Sequence, residues 1–375
     1  MKIWVMALEP IESRYTCQWY HGLPELLDEE AQRRRTSVLV LNVEGDQVSE
    51  ETTTGAFLNF ADTNIWKNSQ VNTVAKAFSD GVKSKVGNAH RVEPGDKFLF
   101  ADAWNPGIIQ VKYMSELLDI PVEIYAIWHA GSYDPQDFLG RKIKDKRWSK
   151  NFEESLFHCI DYNFFATEFH ARLFDQNINP EVYSEDNGKI VISGQPHNKL
   201  VEQLKGYKEL EKRNLILFPH RIAPEKQIDI FRDLAKSIPE YEWVVCQEKK
   251  LSKQEYHTLL GESKMVFSAN LQETLGIGAM EAVLVDSIPF VPDRLSYSEM
   301  YEDSLKYPSK WTENWNSYLE HKDSIIKEVR NKIENYDYYR TILKNNQRPK
   351  LEKYLHPGPM LDLLFDDRSK KNNKV

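Results

Sequence analysis

Short apolar runs alternate with longer amphipathic stretches along the first half of the chain. The runs are rich in β-branched and aromatic side chains, which predicts strands, and the stretches between them predict helices. Strands are predicted at 2–8, 36–43, 97–101, 122–128, 162–167 and 189–197, and helices at 16–35, 69–81, 107–118, 151–159 and 168–176. The run at 36–43 is apolar on both faces, as in a buried parallel strand. This alternation predicts a doubly wound α/β domain.

The same alternation returns after a charged stretch that is poor in large apolar residues. Strands are predicted at 214–218, 242–246, 264–268 and 287–292, with helices that begin near Pro224, Ser252 and Thr274. A chain of 375 residues is also too long for one ordinary core. The predicted parts are an N-terminal Rossmann-like domain at 1–196, a linker at 197–213, a second Rossmann-like domain at 214–320, helices at 321–365 and a disordered polar tail at 366–375.

The composition is that of a folded protein, because 41% of the residues are hydrophobic and 12% are aromatic. No apolar run is long enough to cross a bilayer and the first residues lack a signal cleavage site, so we expect a soluble cytoplasmic protein without stable membrane association. The three cysteines are widely spaced, so neither a disulfide framework nor a zinc site is expected. With a net charge of −8, only a local basic patch supports nucleic-acid binding.

The loop after the first predicted strand contains Arg14 and Tyr15. Ligands of doubly wound sheets bind at the carboxyl ends of strands, which directs attention to this loop. The guanidinium of Arg14 is suited to meet a phosphate or an acceptor group. The alternative is that the hydroxyls of Ser13 and Thr16 only cap the following helix.

The loop after the strand at 97–101 contains Asp102 and Trp104. Asp102 ends the strand, and the flat face of Trp104 is a natural stacking surface for a sugar or a base. A core tryptophan beside a capping Asn105 is the alternative. Both residues are candidates for binding an acceptor.

His129 stands where the strand at 122–128 gives way to a polar loop with a glycine. Such a position suits a side chain that points into a cleft, and histidine can change charge near neutral pH. A lone histidine is more often a structural residue. We therefore treat His129 as a functional candidate only in company with motifs in the second half.

The densest positive run of this acidic chain lies at 141–150 and includes Lys144 and Arg147. Basic residues interleaved with Trp148 are suited to follow a phosphate backbone and stack a base. A solvated helix face or surface loop is the usual explanation of such runs.

Glu273 and Glu281 lie eight positions apart at the end of the strand at 264–268 and in the helix after it, with Gly276 and Gly278 between them. Amides and the dipole of a helix N-terminus favour an anion such as phosphate, and glycine lets it approach closely. An ordinary amphipathic helix with a flexible start is the alternative.

Arg221 and Lys226 follow the strand at 214–218, across a loop that leads into a helix with Pro224 in its first turn. A rigid guanidinium fork and a mobile ammonium suit the two phosphates of a nucleotide diphosphate. Surface charge is the alternative, but cations at a helix N-terminus oppose its dipole and need another reason to be there.

These motifs resemble the nucleotide-sugar half of retaining glycosyltransferases with the GT-B fold. The resemblance is carried by Arg221-x4-Lys226, by Glu273-x7-Glu281 and by the run Thr-Leu-Gly-Ile-Gly-Ala-Met-Glu-Ala at 274–282. It covers the second half well, and the first half agrees in architecture and in His129. The loop at 9–16 lacks the Gly-Gly pair of many members, and residue 287 is serine where glycine is common.

The resemblance implies two Rossmann-like domains with an interdomain cleft, a donor bound by the second domain, an acceptor bound largely by the first, and no metal. It implies that helices at 321–365 return to the first domain. Arg221 and Lys226 would bind the diphosphate, Glu281 the ribose, and Glu273 would face the sugar. The implied donor-binding set is Arg221, Lys226, Thr274, Leu275, Gly276 and Glu281, and the implied catalytic set is His129, Glu273, Arg221 and Lys226.

The activity implied is retaining transfer of a sugar from a nucleotide-diphosphate sugar, with UDP favoured over GDP, to a hydroxyl. The lack of an anchor, the divergent motifs and the basic run resemble phage-encoded enzymes that modify hydroxymethylated pyrimidines in DNA, in architecture rather than in a diagnostic motif. A glycan, a lipid or a small molecule is the alternative acceptor. A nucleotide-sugar epimerase and a non-catalytic nucleotide-sugar binding protein are readings from other classes. The acceptor candidates are Arg14, Tyr15, Asp102, Trp104, Lys144 and Arg147.

Overall fold

The computed structural model describes residues 1–11, 15–49, 59–83, 90–178 and 188–366. Arg14 and residues 367–375 of the predicted tail lie outside these ranges, and only the backbone of Tyr15 is described. The chain forms two compact units. Unit 1 comprises Met1–Ala166, Ala171–Pro196 and Pro357–Val375, and unit 2 comprises Thr167–His170 and His197–His356.

Unit 1 is built on a parallel sheet of six strands. The strands are β1 (Lys2–Met6), β2 (Leu39–Val43), β3 (Lys97–Phe100), β4 (Glu123–Ile127), β5 (Tyr162–Phe165) and β6 (Ile190–Ile192), in the order β2-β1-β3-β4-β5-β6. The helices between them are α1 (Tyr15–Arg33), α2 (Phe60–Lys83), α3 (Gly107–Leu117), α4 (Phe138–Lys142), α5 (Lys146–Cys159) and α6 (Glu168–Ile178). The predicted alternation of strands and helices is confirmed.

The expectation that the strand near 36–43 is buried on both faces is wrong. β2 spans only Leu39–Val43, and Val43 is its one buried residue. Within the described ranges β2 lies at the edge of the sheet and pairs only with β1, so no second strand of these ranges helps to cover it.

Alternating side chains of the central strands of unit 1 form two separate cores. Trp4, Phe98 and Phe100 belong to one core, whereas Val5 and Leu99 belong to the other. Because successive side chains of a strand point to opposite faces, the sheet carries a core on each face. Helix α15 (Gly358–Phe365) packs into the second of these cores.

A buried lysine fixes the end of α15 to unit 1. The ammonium of Lys97 donates to the carbonyl oxygens of Leu363 and Leu364, each at 3.0 Å, and of Asp366 at 3.1 Å. The last carbonyls of a helix have no partners within the helix and lie at its negative end, so a cation is stabilising there.

Unit 2 contains a parallel sheet of five strands. They are β7 (Arg213–Phe218), β8 (Glu242–Val245), β9 (Ser263–Phe267), β10 (Ile288–Pro292) and β11 (Lys306–Tyr307), in the order β8-β7-β9-β10-β11. The helices are α7 (Asn198–Leu204), α8 (Ile228–Ser237), α9 (Lys253–Glu262), α10 (Ile277–Leu284), α11 (Tyr297–Met300), α12 (Trp315–Glu334), α13 (Tyr336–Ile342) and α14 (Arg348–Leu355). Cores again lie on both faces, with Ile216 and Phe267 in one and Leu217 and Val266 in the other.

Counted within each unit, the strand order is 2-1-3-4-5-6 in unit 1 and 2-1-3-4-5 in unit 2, and both follow the flavodoxin-like pattern. In this pattern the chain adds strands first on one side of strand 1 and then on the other. The order therefore reverses between the first and third strands, and ligands bind at the carboxyl ends of those two strands. In unit 1 these ends lead to residues near Leu8 and Asp102. In unit 2 they lead to the loops that hold Arg221 and Glu273.

Candidate active site

Lys226 lies between the two loops at the switch point of unit 2. The predicted helix start at Pro224 is wrong: Pro224–Lys226 forms a short 3-10 turn, Gln227 is left-handed with φ 51°, and α8 begins at Ile228. Lys226 is only 5% exposed, and its ammonium donates to the Gln272 carbonyl at 2.6 Å and to a carboxylate oxygen of Glu273 at 3.2 Å. The cation is therefore held against the loop after β9.

Arg221 is paired with Glu225, whose side chain is fully buried. The guanidinium of Arg221 is one-third exposed, so it can approach a ligand while it keeps this contact. The carbonyl of Glu225 also accepts from the amide of Leu271 at 2.8 Å. These contacts join the loop after β7 to the loop after β9.

Gly276 stands at the N-terminus of α10, which begins at Ile277 and not near Thr274 as predicted. The reason is the left-handed backbone of Gly276, with φ 83°, which a right-handed helix cannot contain. A Cβ at this position would lie 2.7 Å from Cε1 of Tyr297. The loop therefore requires glycine, and the positive end of α10 faces the residues before it.

Thr274 and Leu275 lie in the loop before α10. Leu275 is buried, and the carbonyl of Thr274 accepts from the hydroxyl of Thr167 at 3.1 Å. Thr274 is half-buried, so its side chain is the more accessible of the two, whereas its carbonyl is already engaged.

Glu273 belongs to a polar network centred on Asn270. The amide nitrogen of Asn270 lies 3.3 Å from a Glu273 carboxylate oxygen, 3.1 Å from the Tyr297 hydroxyl and 3.4 Å from Nδ1 of His220. Burial, and then the charge of Lys226, hold the pKa of His220 well below its usual value. Next to Lys226, the network therefore contains a neutral imidazole.

Glu281 lies in the second turn of α10 and is 9% exposed. Its carboxylate accepts from the hydroxyl of Tyr256 on α9 at 2.7 Å. Gly278 lies in the first turn of α10 and packs against Pro219. An added Cβ at Gly278 would lie 3.1 Å from Cγ of Pro219. The structure thus brings Arg221, Lys226, Glu273, Gly276 and Glu281 to one edge of one sheet.

In unit 1, Asp102 and His129 come together at the carboxyl ends of β3 and β4. Asp102 accepts from the ammonium of Lys67 at 2.8 Å, and Nε2 of His129 contacts the carbonyl of Ala101 at 2.7 Å. Burial alone would raise the pKa of Asp102, but the charges of Lys67 and His129 outweigh it and lower that pKa. The imidazole also lies 4.8 Å from the ring of Trp19.

Trp104 is anchored by a buried carboxylate. Its indole nitrogen donates to Glu153 at 2.7 Å, and the same carboxylate accepts from the amide and hydroxyl of Ser132 at 2.5 and 2.7 Å. The Trp104 ring packs edge-on against Phe152 and Trp148. Glu153 therefore ties the loop after β3 to the loop after β4.

The basic run at 141–150 covers the end of α4 and the start of α5. Lys144 is exposed, the side chain of Arg147 is 90% exposed and pairs with Asp145, and Trp148 is 51% exposed. The run therefore offers accessible cations around an accessible indole.

Sequence reasoning missed the residues that hold these candidates in place. Three of them are distant in sequence from the groups that they contact: Lys67, Glu153 and Tyr256. The fourth, Asn270, precedes Glu273 by only three positions. Only Asn270 gave a signal that could have been used, because it is a polar residue inside the motif loop.

No group of three or more His, Cys, Asp and Glu residues in the described ranges is arranged to hold a metal ion. No helix in them combines the length and the apolar character needed to cross a membrane.

No protein-family model and no curated protein matches the sequence. Solved structures do match. Sucrose-phosphate synthase from Thermosynechococcus elongatus superimposes with a TM-score of 0.57 at 12% identity, over 100% of this chain and 99% of that one. HepE from Anabaena, in complex with UDP and glucose, gives a TM-score of 0.51 at 11% identity, over 100% and 99% of the two chains.

The pneumococcal O-GlcNAc transferase GtfA, in complex with UDP and GlcNAc, gives a TM-score of 0.48 at 13% identity over 80% of this chain. This chain spans 61% of the length of that protein. The similarities to sucrose-phosphate synthase and HepE extend over both sheets. The chain has the α/β fold of GT-B glycosyltransferases, with two Rossmann-like domains.

Proposed function

We propose that the protein is a retaining glycosyltransferase that moves a sugar from a nucleotide-diphosphate sugar to a hydroxyl acceptor without a metal ion. The observation that carries the proposal is the cluster of Arg221, Lys226, Glu273 and Glu281 around the N-terminus of α10, at the switch point of unit 2. In open α/β sheets this is the position of the ligand. The predicted domain at 214–320 would bind the donor, and the predicted domain at 1–196 would bind the acceptor.

The charges of this cluster suit a diphosphate. Lys226 and the positive end of α10 supply fixed positive potential, and Arg221 supplies a fork that can bind phosphate oxygens in pairs. Both cations are paired with carboxylates, Arg221 with Glu225 and Lys226 with Glu273. These contacts hold the positive charge in a fixed position, and preorganised charge of this kind stabilises a leaving group.

The proposed reaction forms one bond and breaks one. The acceptor oxygen attacks the anomeric carbon while the bond from that carbon to the diphosphate oxygen breaks, and the acceptor proton passes to the leaving phosphate. Attack from the face that the phosphate leaves would retain the anomeric configuration. Arg221 and Lys226 offset the charge that develops on the leaving group, and Glu273, beside Lys226, faces the sugar.

We favour a UDP-sugar as the donor over a GDP-sugar. The structure of HepE, which shares the fold, contains UDP and glucose. Glu281 would accept hydrogen bonds from the ribose hydroxyls, a contact common to all ribonucleotides, so the base must be found by experiment.

The acceptor that we propose is a hydroxymethylated pyrimidine in DNA, as in phage DNA modification in a host cytoplasm. The support is the exposed run with Lys144, Arg147 and Trp148, which offers cations and a stacking surface to a nucleic-acid strand. Asp102 and Trp104, at the carboxyl edge of the unit 1 sheet, are the proposed contacts to the hydroxyl-bearing group. A glycan, lipid or small molecule remains the alternative acceptor.

A thermal-shift panel tests the donor. UDP-, GDP- and ADP-sugars are each mixed with the wild type, with Lys226→Met and with Lys236→Met, which removes an exposed lysine of α8. Ligands that bind only the native state raise Tm, so we expect one nucleotide class to stabilise the wild type and Lys236→Met but not Lys226→Met. No shift with any nucleotide sugar would contradict the proposal. NMR of the nucleotide sugar after incubation with the protein separates transfer from epimerisation, which would return an isomerised sugar.

A further inference from the structure

Tyr256 holds the carboxylate of Glu281 from the neighbouring helix α9. Its hydroxyl donates to Oε2 of Glu281 at 2.7 Å, across 25 positions of sequence. The hydroxyl is buried and faces a carboxylate, and burial first, then Glu281, raises the pKa of Tyr256 well above its usual value. Tyr256 is therefore a permanent hydrogen-bond donor to Glu281.

Among the described residues, the charged or titratable groups that interact with Glu281 are Tyr256 and Lys253 on α9 and Cys246 after β8. Burial, and then the nearby Glu281, raises the pKa of Cys246 to about 12, so this thiol stays neutral. The carboxylate of Glu281 thus depends on Tyr256 for its one short hydrogen bond from a side chain in this group.

We propose that Tyr256 is a positioning residue for nucleotide binding: its hydroxyl fixes the Glu281 carboxylate so that the remaining oxygen lone pairs accept hydrogen bonds from the ribose of the donor. This inference rests on the proposed function, in which Glu281 meets the ribose. A carboxylate on a free side chain would lose rotamer entropy on binding, and Tyr256 removes that cost in advance.

The same contact makes nucleotide binding sensitive to pH. Burial raises the pKa of Glu281 to about 7, and the hydrogen bond from Tyr256 and the charge of Lys253 act in the opposite direction. The ionised carboxylate accepts from both ribose hydroxyls, whereas the protonated acid has lost part of that capacity. Affinity for a ribonucleotide should therefore be full above the pKa of Glu281 and should fall as the pH drops through it.

Two nearby histidines do not supply this dependence. Burial, and then Lys226, keeps the pKa of His220 well below its usual value, and burial, and then Lys253, lowers the pKa of His257 to about 4. Both imidazoles are neutral where Glu281 titrates. The terminal phosphate of a nucleoside diphosphate also titrates at about pH 6, and pyrophosphate shares that phosphate chemistry. The part of the acid limb that nucleotides show and pyrophosphate does not show is therefore assigned to Glu281.

The test is Tyr256→Phe, which keeps the ring and removes the hydroxyl. The matched control is Tyr318→Phe, because the Tyr318 hydroxyl donates to Asp233 at 2.6 Å in the same unit but in the core on the opposite face of the sheet. UDP, GDP and ADP are titrated into each protein by calorimetry across neutral pH. Inorganic pyrophosphate is the probe without a ribose.

In Tyr256→Phe we expect the acid limb of nucleotide binding to move up by about half to one pH unit, because a net hydrogen bond of this kind is lost. Above the limb, affinity should fall about two- to tenfold. Preference for UDP over 2′-deoxy-UDP should shrink, and pyrophosphate affinity should not change. Tyr318→Phe should behave as the wild type in all four respects.

An unchanged limb and an unchanged 2′-hydroxyl preference in Tyr256→Phe would overturn the inference, as would an equal loss of pyrophosphate binding. A wild type that binds pyrophosphate but no nucleotide would overturn the proposed function itself, which separates the two failures. Circular dichroism and the Tm of both variants verify that each is folded. Both are expected to fold, because each change removes one hydroxyl and keeps the ring.

Discussion

The ammonium of Lys226 lies 3.2 Å from the carboxylate of Glu273, although the two residues are 47 positions apart in the chain. One follows β7 and the other follows β9, the two strands between which the winding of the unit 2 sheet reverses. The pair therefore marks the switch point with a cation and an acid in contact. An anion that binds there therefore competes with the Glu273 carboxylate for the ammonium of Lys226.

Replacement of Lys226 tests the role of this cation. Lys226→Met keeps the length of the side chain and removes its charge, so we expect kcat/KM for sugar transfer to fall by about 10²–10³ because the leaving diphosphate loses a preorganised partner. Steady-state kinetics with the best nucleotide-sugar donor measure this fall. Lys236→Met is the control and should retain wild-type kinetics.

The loss in Lys226→Met must be separated from a loss of stability. The change leaves the Gln272 carbonyl and the Glu273 carboxylate without the ammonium, which should lower the free energy of unfolding by about 1–3 kcal/mol. Urea denaturation measures that part. Wild-type kcat/KM in a folded Lys226→Met protein would remove Lys226 from the catalytic set.

Asp102 should stabilise unit 1 through Lys67. Its pKa is lowered in the folded protein: burial opposes this, but Lys67 and His129 outweigh it. A depressed folded pKa contributes stability above the unfolded pKa of about 4, and that contribution is lost as the pH falls through the folded value. Asp102→Asn should therefore lower the free energy of unfolding by about 1–3 kcal/mol at neutral pH.

Urea denaturation at several pH values measures this contribution. The gap between wild type and Asp102→Asn should begin to narrow as the pH falls below about 4, the unfolded pKa, and should close below the lowered pKa of folded Asp102. Asp145→Asn is the control, because the exposed pair of Asp145 with Arg147 should add little stability. A gap that stays constant down to the acid range would contradict the ionic role of Asp102.

The basic run should govern how salt affects turnover on DNA. Changing Lys142, Lys144, Lys146 and Arg147 to Ala should flatten the dependence of log(kcat/KM) on log[salt]. Each phosphate contact that is lost reduces the number of counterions released when DNA binds. Activity at several salt concentrations on DNA with hydroxymethylated pyrimidines measures the slope. Lys76→Ala with Arg172→Ala, two exposed cations on α2 and α6, is the control. An unchanged slope would exclude the run from acceptor binding.

The architecture of both units was predictable because apolar runs of strand length alternate with helical stretches, and parallel strands need such crossovers. The pairing of Arg221-x4-Lys226 with Glu273-x7-Glu281 was visible for a related reason: both motifs follow strands. Once the strand order is known, the carboxyl ends of β7 and β9 must lie side by side.

Helix starts were less predictable, since single backbone angles decide them. Gly276 with φ 83° delays α10 to Ile277, and Gln227 with φ 51° separates the turn at Pro224 from α8. The edge position of β2 could not be read from its apolar run, because that position depends on which strands pair.

Contacts between distant residues were not predictable from one sequence. Lys67 reaches Asp102 from α2, Glu153 reaches Trp104 from α5, and Tyr256 reaches Glu281 from α9. Each of these side chains lies in an ordinary amphipathic helix, where its spacing indicates only a face. Tertiary packing alone determines which group it meets.

The product of the reaction tests the proposed sugar transfer directly. The wild type, Lys226→Met and Lys236→Met are incubated with the nucleotide sugar that stabilises the wild type most and with DNA that contains hydroxymethylcytosine, and the product is examined by mass spectrometry and NMR. We predict that the wild type and Lys236→Met release the nucleoside diphosphate and add one sugar whose anomeric configuration is that of the donor, whereas Lys226→Met is nearly inactive. An inverted anomer would contradict retention, and an intact donor after incubation with this DNA would contradict sugar transfer to DNA.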